Sequence, residues 1–350
     1  MTSRLRALFA LNRDAFRPAR GIVIVGGMLV PLVVCVLVGE SQYALSMGFG
    51  GLFVALSDPG GRYAIRLRGM ALVAAIGIVL TAVGFAIGDE AWGLVVVAVF
   101  VVTLLAGLAV KYGAHRAFAG LLLNIWFLIA LALPINYQLE GKSSSVSGQT
   151  LAWAIGAGFW IALTLIVWTL RGRRAQPTWF PEFSTDMSTV PLTRPMILFT
   201  VIRASAVAGA AAIAYGLHLP NADWMPIATL VAMKPDLNQA EFVAAQRLAG
   251  AILGSTIAAV TLVTLHDKTA LAVVLLVLAA IAASIRSVNY AFYTAAVAAV
   301  VLIGIDIPNP SDLDAEVRRV VFTFIGLGIA IVVDLLATWI RTRSSPTGAK

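Results

Sequence analysis

Apolar runs of membrane-crossing character recur twelve times along this chain, and no other feature constrains its fold as strongly. They fall at about 21–39, 43–56, 69–87, 91–110, 117–135 and 150–170, then after a linker at 196–217, 222–233, 248–265, 269–285, 290–305 and 320–340. A bilayer core offers backbone groups no water, so a chain entering it must pair them internally, as helices or as a closed barrel. The runs are continuous and do not alternate with a period of two, which selects helices. Composition agrees: 60% of the residues are hydrophobic and 12% charged, with a mean hydropathy of +0.93, where soluble domains carry about 25% charge. The expected fold is all-α, a polytopic transmembrane protein with about 12 spans.

Charge sets the orientation. With the N-terminus in the cytoplasm, the cytoplasmic segments hold 20 of the 25 Lys and Arg residues, Arg203 lies within a span, and only Lys142, Lys268, Arg318 and Arg319 fall outside. The opposite loops hold ten acids. This is the positive-inside pattern, with both termini cytoplasmic. It also accounts for the net charge of +8 without a nucleic-acid partner. The division that follows is a basic amphipathic N-terminus over 1–20, helical and lying on the inner leaflet; a six-helix unit over 21–170; a Pro-rich cytoplasmic linker over 171–195; a second six-helix unit over 196–340; and a tail over 341–350. No cleavable signal precedes the first span. Cys35 is the single cysteine, so one chain can form no disulfide.

Two of the runs are short for a crossing, which usually takes about 20 helical residues. The stretch 224–233 opens on Asp223-Trp224, contains Pro226 and stops at Lys234-Pro235-Asp236, and after a polar step the chain reaches Arg247 and Gly250-x-x-x-Gly254. The stretch 43–69 has the same plan. At an offset of 181, Tyr43 falls on Trp224, Leu56 on Leu237, Arg66 on Arg247 and Gly69 on Gly250. Further matches are Ile155-Gly156-x-Gly158 with Ile325-Gly326-x-Gly328 at 170, and His115-Arg-Ala-Phe118 with Asn289-Tyr-Ala-Phe292 at 174. Six crossings return a chain to its starting side, so the two copies are parallel repeats about an axis along the membrane normal. Short, interrupted apolar segments matched in two halves point to a transporter's binding site, which places Trp224, Thr229 and Ser46 near the pathway.

Enzyme motifs are absent: there is no GxxxxGK[ST], no HExxH and no cysteine pair. His115, His218 and His266 are scattered, which argues against a metal site, and no cofactor is expected. Asp334 is the one acid deep inside an apolar run, and the other sixteen fall in loops or at span ends, in contact with water. Arg203 lies at similar depth, and either pairs with Asp334 or snorkels to headgroups. Lys234, Asp236 and Arg247 cluster at the inner end of the short stretch, as solvated topology signal or as an inner gate. Arg318 and Arg319 pair with Asp314 and Glu316 at helical spacing, or together form an outer anion site. Trp224, Tyr290, Phe292 and Tyr293 can stack on a planar ligand or populate the membrane interface. Asn289 and His115 complete the candidate set as matched positions in the two halves.

The succession DWMPIATLVAMKPD, QRLAGAILG, NYAFYT and RRVVFTFIGLGIAI resembles the fusaric-acid-resistance family of inner-membrane proteins, whose relatives include bacterial aromatic acid exporters and plant aluminium-activated malate transporters. The resemblance covers about 196–340 and, more loosely, 20–170. It implies a bacterial inner-membrane protein exporting small, often aromatic, carboxylates. Moving one anion out of a negative interior gains about 2.3 kcal/mol per 100 mV, enough for a roughly fifty-fold gradient, so an anion channel or uniporter is physically sufficient and proton coupling is an addition. A major-facilitator-type carrier and a non-transporting scaffold are the alternatives. Gly250-x-x-x-Gly254 permits close packing inside one chain or in a homodimer.

Overall fold

The computed structural model describes residues 9–16, 18–139, 145–170, 187–220, 222–233, 240–265, 267–285, 288–306 and 313–344. Among them, each apolar run seats one α-helix. These are α1 (Pro18–Leu37), α2 (Ala44–Leu56), α3 (Tyr63–Ile87), α4 (Trp92–Leu108), α5 (Ala114–Leu139), α6 (Val146–Leu170), α7 (Arg194–Gly216), α8 (Trp224–Ala232), α9 (Ala240–Thr264), α10 (Lys268–Ile285), α11 (Tyr290–Asp306) and α12 (Leu313–Ser344). By length and composition, five of the helices among the described residues can cross a membrane: α3, α4 with the turn that follows it, α5, α6 and α7.

The helices are apolar on the outside and small or polar within. On α3, Leu72, Ile76, Val79 and Val83 are exposed at helical spacing, while Gly69, Val73, Gly77 and Thr81 face inward. On α4, Leu94, Val97, Val101 and Leu105 are exposed, with Val95, Val99 and Thr103 buried. In water such surfaces would be an aggregation hazard; in lipid they cost nothing, and small inward residues let backbones approach.

The two short helices lie in the interior. α2 has 13 residues and α8 nine, about 20 and 14 Å at 1.5 Å per residue, against a hydrocarbon core of about 30 Å. On α8, every residue from Trp224 to Leu230 is buried, and α2 buries nine of its own. α2 packs on α1, α3, α5 and α6, while α8 packs on α5, α7, α9 and α12, so α5 lies against both. α5 is itself almost wholly enclosed over 126–133.

Elsewhere α3 packs on α5 and α6, α4 on α5, α9 on α11 and α12, and α10 on α11. Across the middle of the chain, α1 packs on α10 and α7 on α4, each more extensively than on any helix of its own half. Both crossings are tight. A Cβ on Gly21 would sit 2.6 Å from the Ala280 carbonyl and the Ser284 hydroxyl, and one on Gly107 would strike the Thr200 side chain.

The segments preceding α1 and α7 also cross over. The Asn12 amide donates to the Val288 carbonyl (3.0 Å), and the Val190 amide to the Lys111 carbonyl (2.9 Å). The amphipathic helix expected over 1–20 is replaced, in residues 9–16, by a single 3-10 turn at Arg13–Ala15; residues 1–8 lie outside the described residues. Here backbone groups bond to the α10–α11 connection instead of to one another, and Phe9 packs on Phe292 (centroids 5.6 Å apart).

Candidate transport site

In the first half the buried polar groups are clasped together. At one end of α2 the Ser46 hydroxyl donates to Gln149 Oε1, Gln149 Nε2 donates to the Gln42 carbonyl (3.0 Å), and the Tyr137 hydroxyl donates to that same carbonyl (2.8 Å). Deeper, Trp126 Nε1 donates to Thr81 Oγ1 (2.8 Å) and Asn124 Nδ2 to Thr103 Oγ1 (3.2 Å). Phe49, Trp126 and Trp153 stack beside them, Trp126 and Trp153 at 4.9 Å.

At the other end of α2 lies an ion pair. Arg66 Nε donates to Asp58 Oδ1 (2.9 Å) and its Nη2 to Oδ2, with the side chains 2% and 0% exposed. Asp58 Oδ1 also accepts the Gly60 amide (2.9 Å), in a turn where Gly60 and Gly61 take φ of 70° and 79°, a left-handed conformation that glycine adopts without strain. His115 Nε2 bonds the Ser57 carbonyl at 3.0 Å. The expectation that every acid except Asp334 sits in water is therefore overturned at Asp58. The turn folds back over the end of α2 and brings Arg66, in the first turn of α3, onto the carboxylate.

In the second half Arg203 is 7% exposed, so it does not snorkel to headgroups. Its Nη2 donates to the Leu230 carbonyl (3.1 Å) in the last turn of α8, where the helix presents unpaired carbonyls and partial negative charge. Thr229 is wholly buried, and its hydroxyl reaches both the Met225 carbonyl (2.9 Å) and the Gly326 carbonyl of α12 (3.0 Å). Trp224 belongs to the core with Ile227 and Leu230. Asn289 caps α11, accepting the amides of Ala291 (2.8 Å) and Phe292 (3.1 Å), and donates to the Ala10 carbonyl (2.9 Å). Tyr290 and Tyr293 lie on the first turn of α11, with ring centroids 6.0 Å apart.

Arg203, Thr229 and Trp224 thus gather around α8, whereas Ser46 and His115 belong to the two ends of α2, and Asn289, Tyr290 and Tyr293 to the start of α11. Lys234 and Asp236 lie outside the described residues, as do the side chains of Arg247, Arg319 and Asp334. The backbone nevertheless brings the surroundings of Arg203 and Asp334 together, since Ile202, Met233, Ala330 and Val333 share one apolar cluster. Sequence reasoning missed the Asp58–Arg66 pair and the Thr103–Asn124 bond. The available signal was Asn124 itself, an amide within a span, where polar groups need partners.

Residues 208–333 match the family model described as fusaric acid resistance protein-like. That segment of the second half is similar to the family. An uncharacterized protein of Synechocystis sp. is 27% identical over 159 residues, which is 43% of this chain and 19% of that protein; the shared region is under a fifth of the relative's length. No solved structure matches the chain. Together with the apolar helices, this similarity to a fusaric-acid-resistance-like family supports a membrane location. The matched segment contains α8 to α11, the last nine residues of α7 and most of α12, including Trp224, Thr229, Asn289, Tyr290 and Tyr293. Arg203 and Asp334 flank it on either side.

Proposed function

We propose that this protein exports small organic anions, aromatic carboxylates among them, from the cytoplasm across the bacterial inner membrane, through a path between two parallel six-helix repeats. The observation that carries the reading is Arg203, a guanidinium buried among apolar helices at the end of the short α8. Intramembrane cations of this kind are expensive and mark ion or substrate pathways. The path follows the inner faces of α5, α7, α8 and α12. Asp334 is the counter-ion of Arg203, and an incoming carboxylate competes with it for the guanidinium.

The twelve-span, two-repeat architecture is supported by matched packing. Six helix pairs of the first half recur six helices later: α1·α2, α2·α3, α2·α6, α3·α5, α3·α6 and α4·α5. Gly156 abuts the Met47 carbonyl as Gly326 abuts that of Met225. That register sets α2 on α8 at an offset of 178, three fewer than alignment through the arginines, and it sets Asp58 on Asp236 in sequence. The crossings of α1 on α10 and α7 on α4 are exchanged by the same axis, as a self-complementary two-fold interface requires. Orientation with both termini cytoplasmic rests on the distribution of basic residues. A voltage-driven uniporter suffices energetically, and proton coupling through Asp334 is the variant to exclude.

Flux of aromatic and aliphatic carboxylates in proteoliposomes, with voltage and pH clamped, tests the proposal. Arg203→Gln is expected to lower flux at least tenfold at equal reconstitution. Asp334→Asn separates the two roles of that carboxylate: lost voltage-driven flux supports the counter-ion, and retained flux with lost pH dependence supports proton coupling. No flux of any carboxylate by the wild type would favour a membrane scaffold.

A further inference from the structure

A groove of about 410 Å³ runs beside the start of α11. Its floor is Ala295 and Ala296, both buried, and its walls are Ile257 of α9, Ile281 and Ile285 of α10, Phe292, and Leu11 from the N-terminal segment. Asn289 at one end supplies the polar character. The outer parts of the wall are open: Ile257, Ile281, Phe292 and Leu11 are 37–52% exposed. They continue the outward face of α10, where Val273 and Val277 are also exposed. The groove therefore opens to the surroundings of the apolar helices and not toward the buried α8 with Arg203.

Two further features limit what can fill it. None of the residues lining it is cationic, so it offers nothing to hold a carboxylate and is not a second site for the exported anion. Leu11, which lines the groove, is followed two residues on by exposed Arg13, and in sequence by Arg17 and Arg20. Basic residues at the cytoplasmic edge of a membrane protein attract anionic headgroups, each contributing about a fivefold gain near the surface. An apolar slot continuous with the lipid-facing surface, with a cation on the cytoplasmic segment that walls it, matches one molecule: an anionic phospholipid of the inner leaflet.

We infer that one acyl chain of such a lipid occupies this groove, with its phosphate beside Arg13. The inference rests on the cytoplasmic orientation of the N-terminus but not on transport. The lipid has a structural consequence, because Leu11 forms a wall of the groove only while the N-terminal segment is docked through Asn12 on Val288 and Asn289 on Ala10. A bound chain adds apolar contact to that docking and so braces the crossover between the halves.

The test is native mass spectrometry of the full-length protein released from nanodiscs of equimolar phosphatidylglycerol and phosphatidylcholine. The wild type is expected to retain one phosphatidylglycerol in preference to phosphatidylcholine. Arg13→Ala, an exposed position, should reduce that preference about fivefold. Ala296→Phe, checked for helicity and monodispersity, should abolish retention by filling the floor. Because Arg13→Ala does not depend on core packing, the inference stays testable if Ala296→Phe fails to fold. Equal retention of both lipids, unchanged preference in Arg13→Ala, undiminished retention in a folded Ala296→Phe, or capture of free fatty acid in place of phospholipid would each overturn it. Flux plays no part in the readout, so a failure here is separate from a failure of the export reading.

Discussion

Removing Arg66 takes the guanidinium from a carboxylate, Asp58, that is fully buried beneath a glycine turn. Breaking a buried pair from one side costs about 3–5 kcal/mol, because the remaining charge has lost its partner and does not regain water. Arg66→Met should accordingly lower the thermal unfolding midpoint in detergent sharply. Adding Asp58→Asn should recover most of the loss, since the amide oxygen still accepts from Gly60 and no charge remains. Equal midpoints for the single and double variants would show that Asp58 is solvated after all. This pair was hidden in the sequence for a physical reason. A carboxylate at the end of a run reads as wet, and only the left-handed turn at Gly60 and Gly61 folds the chain over it. Arg203 was easier to single out, because its depth within a run left it either to pair or to snorkel. The carbonyl that receives it, 27 residues further on, could not be named without the short helix in place.

At the scale of helices, the paired motifs Gly156-x-Gly158 and Gly326-x-Gly328 separate two roles that sequence alone left merged. A side chain on Gly156 meets the Met47 carbonyl and one on Gly326 meets that of Met225, whereas Gly158 and Gly328 have nothing within 4 Å. Gly156→Ala and Gly326→Ala should each force α2 from α6, or α8 from α12, at a cost of about 1–3 kcal/mol. Gly158→Ala and Gly328→Ala should instead gain up to about 1 kcal/mol from helix propensity. The four midpoints, measured side by side, check this; losses of equal size at all four would remove the assigned crossings. The positions of the helices were legible throughout, because a run of apolar residues in a bilayer has few alternatives. The basic N-terminal segment was misjudged over residues 9–16, where amphipathic spacing suggested a helix on the leaflet. Its amides and carbonyls found partners on another part of the chain, information that no local pattern carries.

For the molecule as a whole, the exchange of first helices matters more than the count of spans. α1 lies mainly against α10 and α7 mainly against α4, and the segments before them hydrogen-bond across in the same sense. Halves built this way are interlocked. Rocking residues 21–170 as one body against 196–340 would tear both crossings, so any moving unit must carry the exchanged helix of the other half. Spaced motifs in the sequence suggested two copies, but not the exchange, which is a property of surfaces distant in sequence. The exchange makes a direct prediction. Two fragments divided within 171–186, co-expressed in one membrane, should co-purify in equal amounts, because each supplies the helix that covers the other's α4 or α10. Each fragment alone should leave that helix face uncovered, at Gly107 in one and at Ala280 and Ser284 in the other, and should aggregate or pair with a second copy of itself. Stable monomeric behaviour of either fragment alone, or failure of the two to co-purify, would mean that the halves are independent bodies.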